Sequence, residues 1–400
     1  MKKLLSVVAL GALMSSPALS ADVKVGSVAG VTGPIAELVA PILAGRNLAA
    51  DHVNAAGGLL DGNRLVMIQA DSQCDAKAAV DAASKVVNVD RVVAIVGASC
   101  SGATSGMAQA VTIPAGIASV SDTSTAPSIT DLDDNGRVFR TVPSDAYQGA
   151  TLAQYAYDLG FRRLAVTYAN DDYNAGFAAV FAATFPELGG TITASQAHEP
   201  AKPSYRAEVA TLASAGDAEA LALFAYYGGS GITIIRNSLE AGLFSRFLGG
   251  DAMVDQSVID RIGADTLRGN IWLTQPISEE DSVSHMAFAD AFAARGNDPQ
   301  APFAAHGYDA TFVVALAIEK AGSTDSAAIA KALTQINDPD GEIINAGEWA
   351  KAKAAIAAGK AINYEGATGS VDFDANGDVP GSYGISTVGG KGTWQVAPIH

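Results

Sequence analysis

Histidine, cysteine and basic residues are all scarce in this chain. Of 400 residues five are histidine and two cysteine, and 25 Lys and Arg face 42 Asp and Glu for a formal charge of −17. The acidic excess makes nucleic acid and anionic membrane poor partners. His52, His198, His285, His306 and His400 stand in no diagnostic motif, so a serine hydrolase is only the weaker alternative. The cysteines, Cys74 and Cys100, have no histidine near them in sequence, and no metal site is expected. Neither Gly-x4-Gly-Lys-Ser/Thr nor a Gly-x-Gly-x-x-Gly after a strand occurs, so no phosphate or dinucleotide cofactor is implied. There is no tandem repeat or low-complexity tract, and charged residues make up only 17%, which argues against disorder.

Apolar residues make up 49% of the chain, which also has 41 glycines. Its length is too great for one ordinary core and suits two domains. The start, MKKLLSVVALGALMSSPALSA, sets Lys2 and Lys3 before an apolar stretch too short to span a bilayer, and ends in the small residues Ala18, Ser20 and Ala21. Residues 1–21 read as a secretory signal peptide cut after Ser20 or Ala21, which places the mature protein outside the cytoplasm. In an oxidising compartment the two cysteines read as one disulfide or, alternatively, as two buried free thiols.

Apolar runs of strand length recur, each followed by a helix-compatible segment. VKVGSVAG, RLVMIQA, VVAIVGA and GIASVS lie in the first third, and RRLAVTY, ALALFAYY, RFLGG and NIWLTQP in the middle. Ala-rich stretches at 35–56, 76–88, 147–159 and 204–215 separate them. Continuous apolar strands alternating with helices predict parallel sheets covered on both faces. The alternation restarts at VFRTVPSD (138–145), gives way to long helices at 283–295, 304–321 and 325–336, and closes in short strand-like pieces at SVDFD, GSYGIST and TWQVA. The fold class is therefore α/β, with two doubly wound, Rossmann-like lobes and a chain that returns between them.

In open parallel sheets, ligands bind beyond the carboxyl ends of the strands. There IVGASCSGATSG (95–106) delivers Ser99 and Ser101 to a helix start, whose free N–H groups favour an anion. SDTSTAPSIT (121–130) places Ser124 and Thr125 at the next strand end, a second wall of polar groups able to satisfy a buried carboxylate. DFDANGD (372–378) begins like a calcium loop, but Tyr383 stands where the twelfth-position glutamate belongs, so it is read as a hairpin turn.

Taken together, VTGPIAE (31–37), VNAAGGLLDGNRL (53–65), DSQCDAKAAV (71–80), GASCS, TSTAP, NDDYNAG (170–176) and FLGGD (247–251) resemble the periplasmic leucine/isoleucine/valine-binding proteins of bacterial ABC importers. The likeness covers essentially the whole mature chain. It implies a type I periplasmic-binding fold, with lobe 1 at 22–141 plus 276–369 and lobe 2 at 142–275 plus 370–400. Crossover strands near 140–144, 273–276 and 369–373 would form the hinge. It further implies a Cys74–Cys100 disulfide and a ligand carboxylate held by Ser101 and Thr125. Thr123 and Ser124 would offer main-chain groups, Tyr173 and Tyr227 would close from the second lobe, Asp251 would pair with the ligand ammonium, and Leu38 and Phe303 would form the apolar wall. The implied function is capture of an amino acid, most simply a branched-chain one, by hinge closure of a monomer and delivery to a membrane permease, without catalysis or cofactor. Asp251 stands where the best-known members carry Glu and Leu38 where an aromatic can occur, so the side-chain preference does not transfer. A ligand such as another amino acid, an amide or an aromatic acid is the alternative, as is a sensory role without an importer.

Overall fold

The computed structural model describes residues 22–60 and 62–399; the leader assigned to 1–21 lies outside them. Five strands, β1 (Asp22–Ala29), β2 (Arg64–Asp71), β3 (Ala94–Val96), β4 (Ala118–Ser121) and β5 (Val138–Arg140), form a sheet in the order β2-β1-β3-β4-β5. Every pairing in it is parallel. A second sheet is built from β6 (Arg163–Ala169), β7 (Thr191–His198), β8 (Ala220–Phe224), β9 (Phe247–Gly249) and β10 (Ile271–Ile277). These five are also mutually parallel. A small sheet, β11 (Glu342–Asn345), β12 (Ile362–Gly366) and β13 (Gly369–Ser370), precedes β14 (Ser382–Val388) and β15 (Trp394–Pro398), which extend the second sheet antiparallel to the order β15-β14-β10-β9-β8-β6-β7.

Both sheets are doubly wound, and each reverses direction once: at β1/β3 in the first and at β6/β8 in the second. Ligand crevices open at such switch points, beyond the carboxyl ends of the strands. The first core gathers Val25, Val96, Val120 and Phe139 with the helix Ala304–Ala321, buried along nearly its whole length. In the second, Phe177, Phe181 and Phe185 lie at i, i+4, i+8 on the helix Asp172–Glu187; the first two pack against Phe224 and Phe185 stacks on Phe181. Each such ring contributes about 1.5–3 kcal/mol by burial. That packing holds the helix's first turn at the crevice.

The chain passes between the units at 141–144, after β10 and before β14. Val371, Val379 and Phe373 pack in the first core, so the last crossing falls at 380–382 rather than at 369–373. The segment 372–378 differs from its sequence reading as well. It is a turn closed by the Asp374 N–H donating to the Asp378 carbonyl, at 2.8 Å, without strands on both sides. Asp378 pairs with the buried guanidinium of Arg140 at 2.6 Å, which fixes the loop internally.

Candidate functional site

Gly97, after β3, sits at φ +120, and a Cβ there would come within 2.0 Å of the Val28 carbonyl oxygen. Glycine alone lets the chain turn this close to β1. The buried carbonyl of Ala98 then accepts the hydroxyls of Ser121 (2.9 Å), Ser124 (3.0 Å) and Thr104 (3.0 Å). Ser124 is thereby committed to the scaffold. Cys100 and Cys74 form a disulfide with their Cα atoms 5.3 Å apart, which ties the turn to the loop after β2. Ser101 opens the next helix, and its Oγ accepts the Ala126 N–H at 3.1 Å.

Beneath this turn lies Arg46, fully buried and not singled out from sequence. Its guanidinium donates to Asp122 at 2.6 and 2.8 Å, to Ser27 Oγ at 3.0 Å, and to the carbonyls of Val28 and Val96. One side chain thus joins the ends of β1, β3 and β4 and fixes the residue before Thr123. Arg140 does the same for the next stretch by donating to the carbonyls of Ser124 and Ala126.

On the opposite side Asp251 follows β9. A Cβ on Gly250 would lie 2.8 Å from Tyr173 Oη, so the glycine admits the ring. Asp251 Oδ1 accepts from Tyr173 Oη (3.1 Å) and from Gln148 Nε2 (2.8 Å). The ring of Tyr173 stacks on Tyr226 at 5.5 Å. Burial raises the pKa of Asp251 to about 6 against the lowering effect of those bonds. Behind it Asp145, fully buried, is pushed well above the ordinary carboxyl range, by burial first and by the charge of Asp251 second. Asp145 Oδ1 and Gln148 Oε1 have no hydrogen-bond partner among the described residues.

These two faces enclose a cavity of ≈30 Å³. Ser99, Cys100, Ser101 and Thr123 line one side, Tyr173, Tyr226, Asp251 and Ala252 the other, and Ile35, Leu38, Ile42 and Phe303 an apolar end. Three sequence candidates lie elsewhere. The Ser124 hydroxyl is engaged as described, Thr125 donates to Asp145 at 2.8 Å, and Tyr227 Oη accepts the Glu37 N–H at 3.0 Å. Tyr226, one residue earlier, faces the cavity instead. Strand β8 ends at Phe224, so the alternation that would have placed residue 227 is broken. Beside the Tyr227 contact, Gly228 N–H donates to the Pro34 carbonyl at 3.2 Å. Both bonds join the two faces, and entry of an amino acid into so small a cavity requires the faces to part.

A crevice between two doubly wound units, polar on both faces and apolar at one end, defines a bilobal ligand-binding protein. The chain belongs to the periplasmic binding protein family, whose model matches residues 22–357. A leucine-, isoleucine-, valine-, threonine- and alanine-binding protein of Pseudomonas aeruginosa is 29% identical over 95% of this chain and 93% of its own length. Leu/Ile/Val-binding protein homolog 3 of Brucella melitensis is 31% identical over 83% of this chain and 88% of its own. The crystal structure of a leucine-binding protein from Thermotoga maritima superposes with a TM-score of 0.79 at 24% identity, covering 94% of this chain and 99% of that one. Among the described residues no group of His, Cys, Asp or Glu is arranged to hold a metal, and no helix is long and apolar enough to cross a membrane.

Proposed function

We propose that the chain is the substrate-binding protein of an ABC importer, exported to the periplasm through a cleaved leader at 1–21. It captures a branched-chain α-amino acid between its lobes as a monomer, without catalysis, and presents it to a membrane permease. The observation that carries this reading is the placement of Asp251 opposite Ser101 and Thr123 across one cavity with an apolar end. The names of the relatives support leucine, isoleucine or valine as the ligand.

The proton bookkeeping suits a zwitterion. Ser101 Oγ spends a lone pair on the Ala126 N–H, and its proton is available to donate to the ligand carboxylate. Thr123 Oγ1 donates to Asp122 at 3.2 Å and keeps lone pairs for the ammonium. Asp251, once ionised, supplies the countercharge. Tyr173 and Tyr226, whose pKa values burial raises well above the usual phenol range, keep their protons and act as donors. Leu38, Ile42 and Phe303 take the aliphatic side chain, and closure about the three crossings buries the whole ligand.

The test is thermal unfolding of residues 22–400, refolded to remove carried-over ligand, against amino acids, their amides and small aromatic acids. Leucine, isoleucine or valine at 100 times its dissociation constant stabilises by about 2.7 kcal/mol, and Asp251→Ala abolishes the shift. A shift confined to compounds without an α-amino group overturns the role given to Asp251.

A further inference from the structure

A second cavity, ≈150 Å³, lies where the chain crosses between the lobes. All three crossings contribute to it: Thr141 and Pro143 from the first, Glu279 from the second beside Ile277 at the end of β10, and Gly381 and Ser382 from the third. A space lined by all three changes shape whenever the lobes move.

Its chemistry leans toward acceptors, with the Ser382 hydroxyl and the imidazole of His306 able to donate or accept. The Thr141 hydroxyl donates to the His306 carbonyl at 3.0 Å, Thr368 to Asp309 at 2.7 Å and Ser370 to Asp372 at 2.6 Å. Those three oxygens are left with lone pairs only. Glu279 adds a carboxylate at the exposed edge, packed against Gly369, where a Cβ would lie 2.9 Å from its Cδ. His306, 4% exposed, lines the cavity, and its Nδ1 has no hydrogen-bond partner among the described residues. Burial lowers its pKa to about 4, so it is neutral and brings no positive charge. No Lys or Arg lines the space. Acceptors with one negative charge and no cation suit a compact, charged N–H donor.

One ring contact links this cavity to the amino-acid site. His306 lies in the first turn of the helix Ala304–Ala321, and Phe303, the residue just before that helix and part of the site's apolar end, has its ring centroid 5.5 Å from that of His306.

We propose that this cavity is a second binding site, for a small primary ammonium ion, and that an occupant bridging the three crossings holds the closed form. The proposed effect on closure rests on the hinged amino-acid binding above; occupancy itself does not. The probe is methylammonium chloride, with tetramethylammonium chloride at equal ionic strength as the control that has the charge but no N–H. With the full mature chain, methylammonium is expected to raise the unfolding temperature and to slow leucine dissociation at least threefold. Both effects vanish in Glu279→Gln, which alters an exposed residue outside the amino-acid site. No difference between the two salts, as for a cavity that holds water alone, overturns the proposal, and so does an equal response in Glu279→Gln. Faster leucine loss regardless of residue 279 means that the cation competes at Asp251, and overturns it too. If no amino acid binds at all, the function proposed above fails, while the unfolding shift still decides the cavity.

Discussion

The two faces of the crevice are built on opposite principles. On the first, the polar groups are satisfied from within: Arg46 is bonded to Asp122, Ser27 and two carbonyls, and Ala98 O receives three hydroxyls. On the second, Asp145 and Asp251 are buried together, both shifted toward the protonated form, beside two oxygens without partners. The frame of the first face is complete without a ligand, and only the Ser101 proton and the Thr123 lone pairs are left for one. The second is completed only by an incoming cation, and unmet electrostatic demand is what gives such a face its selectivity.

The sharpest way to break this contrast is Arg46→Ala. Removing one member of a buried ion pair leaves Asp122 uncompensated, and an unfolding loss of about 3–5 kcal/mol is expected, read by denaturant titration without ligand. Asp251→Ala, by contrast, is expected to cost no more than about 1 kcal/mol, since the Tyr173 donor it leaves unpaired is offset by removal of a charge that repels Asp145. Comparable losses from the two substitutions would erase the distinction.

A pH series sharpens the second face. The ligand ammonium needs ionised Asp251, so affinity is expected to fall as pH drops through about 6, approaching tenfold per unit at the limit, by calorimetry. In the ligand-free protein the sign is reversed. A carboxyl whose folded pKa lies above its ordinary 3.8 stabilises the fold most below that value and loses the contribution as pH rises through about 6. His198 and His306, both lowered to about 4, act oppositely, costing stability as pH falls below 6.5. Asp251→Asn isolates the carboxyl contribution, and an unchanged affinity–pH slope in that variant would refute the assignment. The smallest effect belongs to the contact between faces. Tyr227→Phe removes one acceptor, worth about 1 kcal/mol, and is expected to speed ligand release about fivefold in stopped flow without changing the unfolding of either lobe.

Much of this architecture was legible because strand ends are local. The runs before Gly97, Ser121 and Asp251 declare where side chains emerge, and the turn chemistry follows. Partner choice was not legible. The hydroxyls of Ser124 and Thr125 go to a carbonyl and a carboxylate 26 and 20 residues away, which no spacing rule predicts. Arg46 was hidden by its neighbours, although a charge four residues after Ile42 and three before Ala49, on the buried side of the helix, was the available signal. Asp145 and Gln148 were passed over because VFRTVPSD (138–145) reads as the point where the alternation restarts and 147–159 as an Ala-rich helical stretch. Tyr226 for Tyr227 is a one-residue slip at a strand end, where periodicity stops.

The Arg46 network has a practical corollary. Because it secures the strand ends without help from the second lobe, specificity can be re-engineered by varying Tyr226, Ala252, Leu38 and Phe303 while Arg46, Asp122 and the Ala98 acceptor stay fixed. A library drawn that way keeps its folding competence separate from its binding phenotype, and a biosensor built on this chain would inherit a rigid half against which closure of the other half is read.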